Sequence, residues 1–274
     1  MENILNIYSA VGIGDMICYR GLTNPFLSQY KKININLCLS LLDEFRPDNK
    51  NENIIFLENI AKLIFNDEKY NIIFNYNDKH VDTYVFQKET NTHCKIPNLI
   101  NDFCNEKKII DDDYIVVTTK ARGINREQFL SRKQIFCDVL NDLSKKYKIV
   151  LVGEKIVEMN KEYQHHGSHF IFSIYNDIID SLENNIIDLT IPALGITIPN
   201  IENLKKDCSI MNHAKKVITF GVGGNFSIAM TVSNVASYIE GGTSLNFSPP
   251  SFDNKEVSLV TNQWYEFINA LLKL

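Results

Sequence analysis

The sequence predicts an α/β protein made of two Rossmann-like, doubly wound domains that face each other across a cleft. Short apolar runs of strand character alternate with segments of helical periodicity along the chain. A glycine-rich turn between an expected strand and an expected helix occurs twice, at residues 12–15 and 221–225. A charged stretch at 107–113 separates the two runs. We therefore expect domains at 1–110 and 111–274, with a closing helix that could pack back on the first.

Each expected element rests on a local pattern, which is apolar alternation for strands and three-to-four-residue spacing for helices. In the N-terminal half we expect strands at 4–8, 33–39, 70–76 and 81–86, helices at 16–30, 54–65 and 98–104, and a loop at 43–53. In the C-terminal half we expect strands at 114–118, 149–152, 216–220 and 237–240, helices at 126–147, 201–213, 226–235 and 263–274, and a polar loop at 119–123.

The composition narrows the function classes. A net charge of −5 and a pI of about 5.7 argue against a nucleic-acid binder, which usually carries a basic excess. The N-terminus has no signal-peptide pattern and no apolar run approaches membrane-spanning length, so we expect a cytoplasmic protein. The 6 cysteines are scattered without a C-x-x-C pair, and we expect reduced thiols that mostly fill the core.

The first glycine turn places Asp15 at the mouth of a strand-to-helix junction. Gly12 and Gly14 remove side chains where the chain turns tightly and where backbone approaches a ligand. A dinucleotide-binding fingerprint is excluded, because its sixth position needs a small residue and Ile17 stands there. The carboxylate of Asp15 either caps the helix or faces the cleft as a base, and both roles stay open.

The second glycine turn has the features of an anion site. Gly223, Gly224 and Asn225 leave backbone N–H groups free at the start of a helix, where the helix dipole attracts negative charge. Ser227 could add a hydroxyl group to the same site. The alternative is a close-packed turn in which glycine only permits crowding.

Polar residues also follow two of the expected strands. Thr119, Lys120 and Arg122 come directly after a strand, and cations at this place would neutralise a diphosphate. Glu154 lies just past another strand end and could accept hydrogen bonds from a ribose diol. A solvated loop is the alternative for each of them.

Two further clusters suggest a metal but lack the necessary partners. Asp111, Asp112 and Asp113 have no second acidic cluster nearby and are expected to form a solvated turn. His165, His166 and His169 have no acidic or cysteine partner at suitable spacing. We therefore expect no metal site.

The order of these features resembles that of GT-B glycosyltransferases and is most similar to the heptosyltransferase-like group, glycosyltransferase family 9. The resemblance rests on Gly-Ile-Gly-Asp after the first strand, a basic segment after a later strand, a strand ending in Gly-Glu, and the last glycine turn before a helix of small residues. In that last turn the family usually has an acidic residue, then Ser or Thr and Gly, and a His slightly later. Here Gly221-Val222-Gly223-Gly224 stands there, with Phe226 near the His position.

The resemblance implies roles for the residues named above. Asp15 would be the catalytic base, Lys120 or Arg122 would contact the donor phosphate, and Glu154 would hold the donor ribose. The donor diphosphate would lie in the turn from Gly223 to Ser227. The remaining residues expected on the donor side are Gly14, Thr119, Gly224 and Asn225.

The expected function is an inverting, metal-independent glycosyltransferase that moves a sugar from a nucleotide-sugar to a glycan, lipid-linked or other small acceptor. The nucleotide-sugar is a substrate, and no cofactor is expected. We expect no nucleic-acid partner and at most peripheral membrane association. Two alternatives stay open, namely a nucleotide-sugar epimerase of the same fold and a non-catalytic nucleotide- or glycan-binding descendant.

Overall fold

The computed structural model describes residues 3–10, 12–39, 50–76, 83–104, 107–156, 171–183, 185–193, 200–221, 224–240, 247–248 and 258–274. Within these ranges strands and helices alternate. Each half of the chain forms one main sheet whose strands are mostly parallel, and the described residues form two further sheets of two strands each. The expected α/β class with mostly parallel sheets is therefore confirmed.

The N-terminal sheet has the order β1-β2-β3, and all its pairings are parallel. Its strands are β1 (Ile4–Ala10), β2 (Lys32–Cys38) and β3 (Tyr70–Asn75). The helices of this half are α1 (Ile13–Thr23), α2 (Lys50–Ile64), α3 (Thr83–Thr90) and α4 (Ile100–Phe103), and a short strand β4 (Cys94–Lys95) lies between the last two. A 3₁₀ turn at Asn24–Phe26 contains Pro25 and ends the first helix, as the proline predicts.

The C-terminal sheet has β5 near its centre, in the order β14-β12-β11-β5-β6-β9, with β8 paired antiparallel to the end of β5. The strands of this half are β5 (Tyr114–Arg122), β6 (Lys148–Val152), β7 (Glu154–Ile156), β8 (Ile171–Ser173), β9 (Ile186–Asp188), β10 (Ile191–Ala193), β11 (Lys216–Gly221), β12 (Val235–Tyr238), β13 (Phe247–Ser248) and β14 (Leu259–Thr261). Strands β7 and β10 pair with each other outside the large sheet, and β13 pairs with β4 of the N-terminal half. The helices are α5 (Arg126–Ser144), α6 (Tyr175–Ile178), α7 (Ile201–His213), α8 (Gly224–Val232) and α9 (Trp264–Leu271).

One hydrophobic core joins the two halves. It contains residues of α1 and the N-terminal sheet together with one face of the C-terminal sheet, where Val116 and Val150 are fully buried. Helix α1 packs against α8, and the Leu99 N–H donates a 3.0 Å hydrogen bond to the Thr231 carbonyl. The opposite face of the C-terminal sheet carries a second core rich in aromatic rings. The two sheets are therefore tied together by shared packing.

Several expectations differ from the structure. The last residues of the expected loop at 43–53, from Lys50 onward, belong to helix α2. Residues 83–86 of the expected strand 81–86 belong to helix α3, because Phe86 packs edge-on against Tyr19 and Phe26 from a helical backbone. The expected loop at 119–123 is wrong, since β5 continues to Arg122 through pairing with β8 and β11. Closing helix α9 packs on β12 and β14 of the C-terminal sheet.

Candidate functional site

The candidate site lies where the carboxyl ends of β5, β6 and β11 meet the start of α8. Ligands of open parallel sheets bind at this edge, outside the carboxyl ends of the strands. Lys120 lies near the end of β5, Glu154 begins β7 just beyond the end of β6, and their side chains meet at this edge. The two predicted site residues Lys120 and Glu154, which lie in separate segments of the sequence, therefore come together.

Lys120 and Glu154 form an ion pair that is largely withdrawn from water. The Lys120 Nζ donates to Glu154 Oε1 at 3.3 Å, and the two side chains are 22% and 10% exposed. The second carboxylate oxygen, Oε2, is buried and has no hydrogen-bond partner among the described residues. Leaving a buried acceptor unsatisfied costs about 1–3 kcal/mol, more for a charged group. Such an oxygen is available to accept a hydrogen bond from an O–H or N–H group of a ligand.

The backbone that carries Glu154 is held at a bend. Gly153 lies between β6 and β7. Its φ of +106° is a conformation that a residue with a side chain rarely adopts. The Thr119 hydroxyl lies 2.8 Å from the Glu154 carbonyl and 3.2 Å from the Val152 carbonyl. The Ser173 hydroxyl donates to the same Glu154 carbonyl at 2.5 Å. Three strands thus converge on one peptide unit.

Asn225 closes the site from the first turn of α8. Its Nδ2 lies 3.6 Å from the position that a Cβ on Gly153 would occupy, so this amide stands directly over the bend. Helix α8 begins at Gly224, and Ser227 is buried within its first turn. Gly223 lies outside the described residues. Of the second glycine turn, the structure therefore brings Asn225 to the residues of β5 and β6.

Gly221 lies where β11 approaches the end of β5 most closely. It has a φ of +77° and pairs with Arg122 at the end of β11, and a Cβ there would overlap the Arg122 carbonyl. The strand pairing also shifts register between Ile218 and Phe220. A side chain at position 221 would force the two backbones apart, so glycine stands here because the strands approach so closely.

Arg122 ends β5, and its guanidinium makes no hydrogen bond or ion pair with any residue that the structure describes. It is partly exposed at the same edge as Lys120. A guanidinium with all its donors available is suited to bidentate binding of a phosphate. The geometry therefore leaves one cation of this strand available for an anion, while Lys120 is paired.

Asp15 is the third helical residue of α1, after Gly12 at the N-cap and Gly14 at the second helical position. Its Oδ2 would lie only 2.5 Å from a Cβ on Gly12, so the carboxylate turns back over the start of its own helix. The residue is partly exposed. This is the position from which an acidic residue caps a helix. Both roles expected of Asp15 remain predictions.

Two polar residues near Glu154 carry no signal in the sequence. Ser173 falls in an apolar run, and only the antiparallel pairing of β8 with β5 brings it to the site. Asp207 lies on α7 among residues that look like a solvated helix face. The pKa of Asp207 is raised to about 6, mainly because the carboxyl is buried. The negative charge of Glu154 contributes to this rise, and the positive charge of Lys206 opposes it. A second carboxylate therefore acts electrostatically on the candidate site.

The expected turn at 111–113 is exposed, and Asp112 and Asp113 form ion pairs with Lys148 and Lys215. Across the described ranges, no three His, Cys, Asp or Glu side chains are arranged to hold a metal ion. The histidines at 165, 166 and 169 lie outside those ranges. Among the described helices, none combines the length and apolar character needed to cross a bilayer. The cysteines are buried apart from Cys104, which is partly buried.

Comparison with protein-family models finds no match, and comparison with curated proteins finds none. Solved structures with a similar arrangement include the ADP-heptose LPS heptosyltransferase II of E. coli, which is 13% identical with a TM-score of 0.43 over 100% of this chain and 99% of that one. The iron-containing dodecameric glycosyltransferase TibC from enterotoxigenic E. coli H10407 is 13% identical, with a TM-score of 0.48 over 99% and 77%. A glycosyl transferase family 9 protein from Veillonella parvula DSM 2008 is 14% identical, with a TM-score of 0.45 over 99% and 90%. The motif order resembles the same group of enzymes.

Replacing Asp207 by Asn should stabilise the protein at alkaline pH. Because the folded-state pKa lies above the ordinary carboxyl value, the charged form is disfavoured by folding. The destabilisation is present above pH 6 and is lost as the pH falls through 6 toward 4. We expect Asp207→Asn to raise the Tm by roughly 2–5 °C at pH 8 and to change it little at pH 4.5.

The measurement is thermal unfolding followed by circular dichroism at the two pH values. Asp111→Asn is the matched control, because Asp111 is exposed and its substitution should leave the Tm unchanged at both. An equal effect of Asp207→Asn at pH 4.5 and pH 8 would show that the charge of this residue is not the cause.

Proposed function

We propose that the protein is an inverting, metal-independent, cytoplasmic glycosyltransferase that transfers a sugar from a nucleotide-diphosphate sugar to a glycan or lipid-linked acceptor. The observation that carries the proposal is the buried Glu154 carboxylate, with Oε1 bound to Lys120 and Oε2 without a partner among the described residues. A buried acceptor at the carboxyl edge of a parallel sheet is where a nucleotide ribose would place a hydroxyl group.

The charge of Glu154 selects the part of the donor that it can bind. A carboxylate repels phosphate and accepts from O–H or N–H groups, so the ribose or the base of the nucleotide would contact Oε2. A neutral hydroxyl satisfies the buried oxygen without adding a second charge to the site. Glu154 therefore fixes the nucleoside end of the donor, and the diphosphate must lie on the cationic side.

The diphosphate would extend from Glu154 toward Arg122 and the start of α8. The guanidinium of Arg122 has its donors available within the described part of the chain. The backbone N–H groups at Gly224 and Asn225 open a helix of 9 residues, whose dipole favours negative charge at this end. These groups would stabilise the departing diphosphate in the transition state without a metal ion.

The acceptor would enter from the N-terminal half, with Asp15 as the base. Helix α1, which carries Asp15, packs directly against α8, whose first turn would hold the diphosphate. Asp15 would take the proton of the acceptor hydroxyl while the oxygen of that hydroxyl attacks the anomeric carbon, on the side opposite the leaving diphosphate. Attack from that face inverts the configuration at this carbon.

One observation favours a second candidate, a non-catalytic protein that binds nucleotide or glycan at the same site. The Asp15 carboxylate turns back over Gly12 at the helix start, which is the geometry of a cap. In that case Glu154 and Arg122 would still bind a nucleotide, but no sugar would be transferred.

Replacing Glu154 by Gln should weaken nucleotide binding. The variant keeps the shape of the side chain but removes the charge that strengthens a hydrogen bond to a hydroxyl group, a loss of about 10- to 100-fold in affinity. The measurement is isothermal titration calorimetry with ADP, GDP, UDP and CDP, using the tightest binder. Glu127→Gln is the control, because Glu127 is exposed on the first turn of α5. Unchanged affinity in Glu154→Gln would refute the proposed donor site.

Replacing Asp15 by Asn should lower turnover and leave donor affinity unchanged. Removing a general base costs on the order of 10²–10⁴ in rate. The measurement is acceptor-dependent release of nucleoside diphosphate from ADP-, GDP- and UDP-sugars, with Asp142→Asn as a control at an exposed surface pair. Normal turnover in Asp15→Asn would exclude Asp15 as the base. No transfer by the unaltered protein, despite tight nucleotide binding, would support the non-catalytic candidate.

A further inference from the structure

The carbonyl of Glu154 accepts hydrogen bonds from two side-chain hydroxyls that come from different strands. Thr119 on β5 lies 2.8 Å away, and Ser173 on β8 lies 2.5 Å away. We propose that Thr119 and Ser173 are positioning residues, which hold the Glu154 carboxylate in its ligand-binding place and do not contact the donor themselves. This inference rests on the proposed role of Glu154 in binding the donor nucleotide.

The bend at Gly153 makes this support necessary. β6 ends at Val152 and β7 begins at Glu154, and the positive φ of Gly153 redirects the chain between them. The Gly153 carbonyl accepts from the Ile191 N–H at 2.8 Å, whereas the next carbonyl is bound by the two hydroxyls. Without those hydroxyls the carbonyl oxygen of Glu154 would lose its side-chain hydrogen bonds, and the peptide unit would be freer to rotate.

The two hydroxyls are themselves fixed relative to Lys120. The Ser173 hydroxyl accepts from the Tyr175 N–H at 3.2 Å, and Ser173 pairs with Lys120 in the β5–β8 ladder. The Ile174 N–H donates to the Thr119 carbonyl at 2.8 Å. One set of backbone contacts therefore positions both members of the ion pair, Lys120 from its own strand and Glu154 through its carbonyl.

Thr119 is unsuited to direct contact with the nucleotide-sugar. The residue is 0% exposed, and its single hydroxyl proton is shared between the carbonyls of Glu154 and Val152. A Cβ on Gly153 would lie 2.9 Å from its Oγ1, so the bend itself covers this hydroxyl. The donor role expected for Thr119 from the family resemblance is therefore replaced by an indirect one.

The test is a double-mutant cycle on nucleotide affinity. Thr119→Val and Ser173→Ala each remove one hydroxyl, and Thr119→Ser keeps it. Affinity for the tightest binder among ADP, GDP, UDP and CDP is measured by calorimetry in the unaltered protein and in a Glu154→Ala background. We expect each hydroxyl deletion to weaken binding about fivefold to tenfold, Thr119→Ser to retain near-normal affinity, and no further loss when Glu154 is already Ala.

Ser131→Ala is the matched control, because the Ser131 hydroxyl also donates to a backbone carbonyl, at 2.8 Å, but on the exposed face of α5. Thermal unfolding of every variant separates positioning from folding. A lower Tm with unchanged affinity would overturn the positioning role. Equal losses with and without the Glu154 carboxylate would also overturn it, since the hydroxyls would then act independently of Glu154. Unchanged affinity in Glu154→Ala alone would overturn the donor site itself, which is a separate result.

Discussion

The candidate site depends on one buried carboxylate that is only half satisfied. Glu154 has one oxygen on Lys120 and the other without a partner among the described residues, at a place where water is largely excluded. Burying a charge is costly unless it is paired and hydrogen-bonded. The main-chain carbonyl of the same residue lies beside a glycine bend and accepts from two hydroxyls. A ligand that donates a hydrogen bond to Oε2 would remove the free-energy cost of leaving this oxygen unsatisfied. This is the physical reason for proposing that a nucleotide binds there.

The surrounding architecture brings this carboxylate to an edge where cations and a helix start are also present. β5 runs through the middle of the C-terminal sheet and supplies Thr119, Lys120 and Arg122 from its last four positions. Gly221 permits β11 to approach the end of β5, and α8 follows directly. The core shared with the N-terminal half then places α1 against α8. The positions of Lys120, Arg122, Glu154 and Asp15 are thus consequences of backbone packing.

Local patterns were sufficient to predict much of this arrangement. The helix at 201–213 and the strand beginning at residue 216 have the bounds that periodicity predicts, and Lys120, Glu154 and Asn225 come together at a sheet edge as their places after strands suggest. Non-local pairing was not predictable. β5 extends to Arg122 because β8 returns antiparallel beside it and β11 pairs with its last residues, which turns an expected loop into strand. The pairing with β8 also brings in Ser173. Asp207 was missed because an inward-facing carboxylate on an amphipathic helix has the same spacing as a solvated one.

The most direct test of the central claim is a crystal structure of the protein with the nucleoside diphosphate that binds most tightly. We expect a ribose hydroxyl about 3 Å from Glu154 Oε2, with the phosphates at Arg122 and the start of α8. A nucleotide bound elsewhere, or one that leaves this oxygen without a ligand donor, would contradict it.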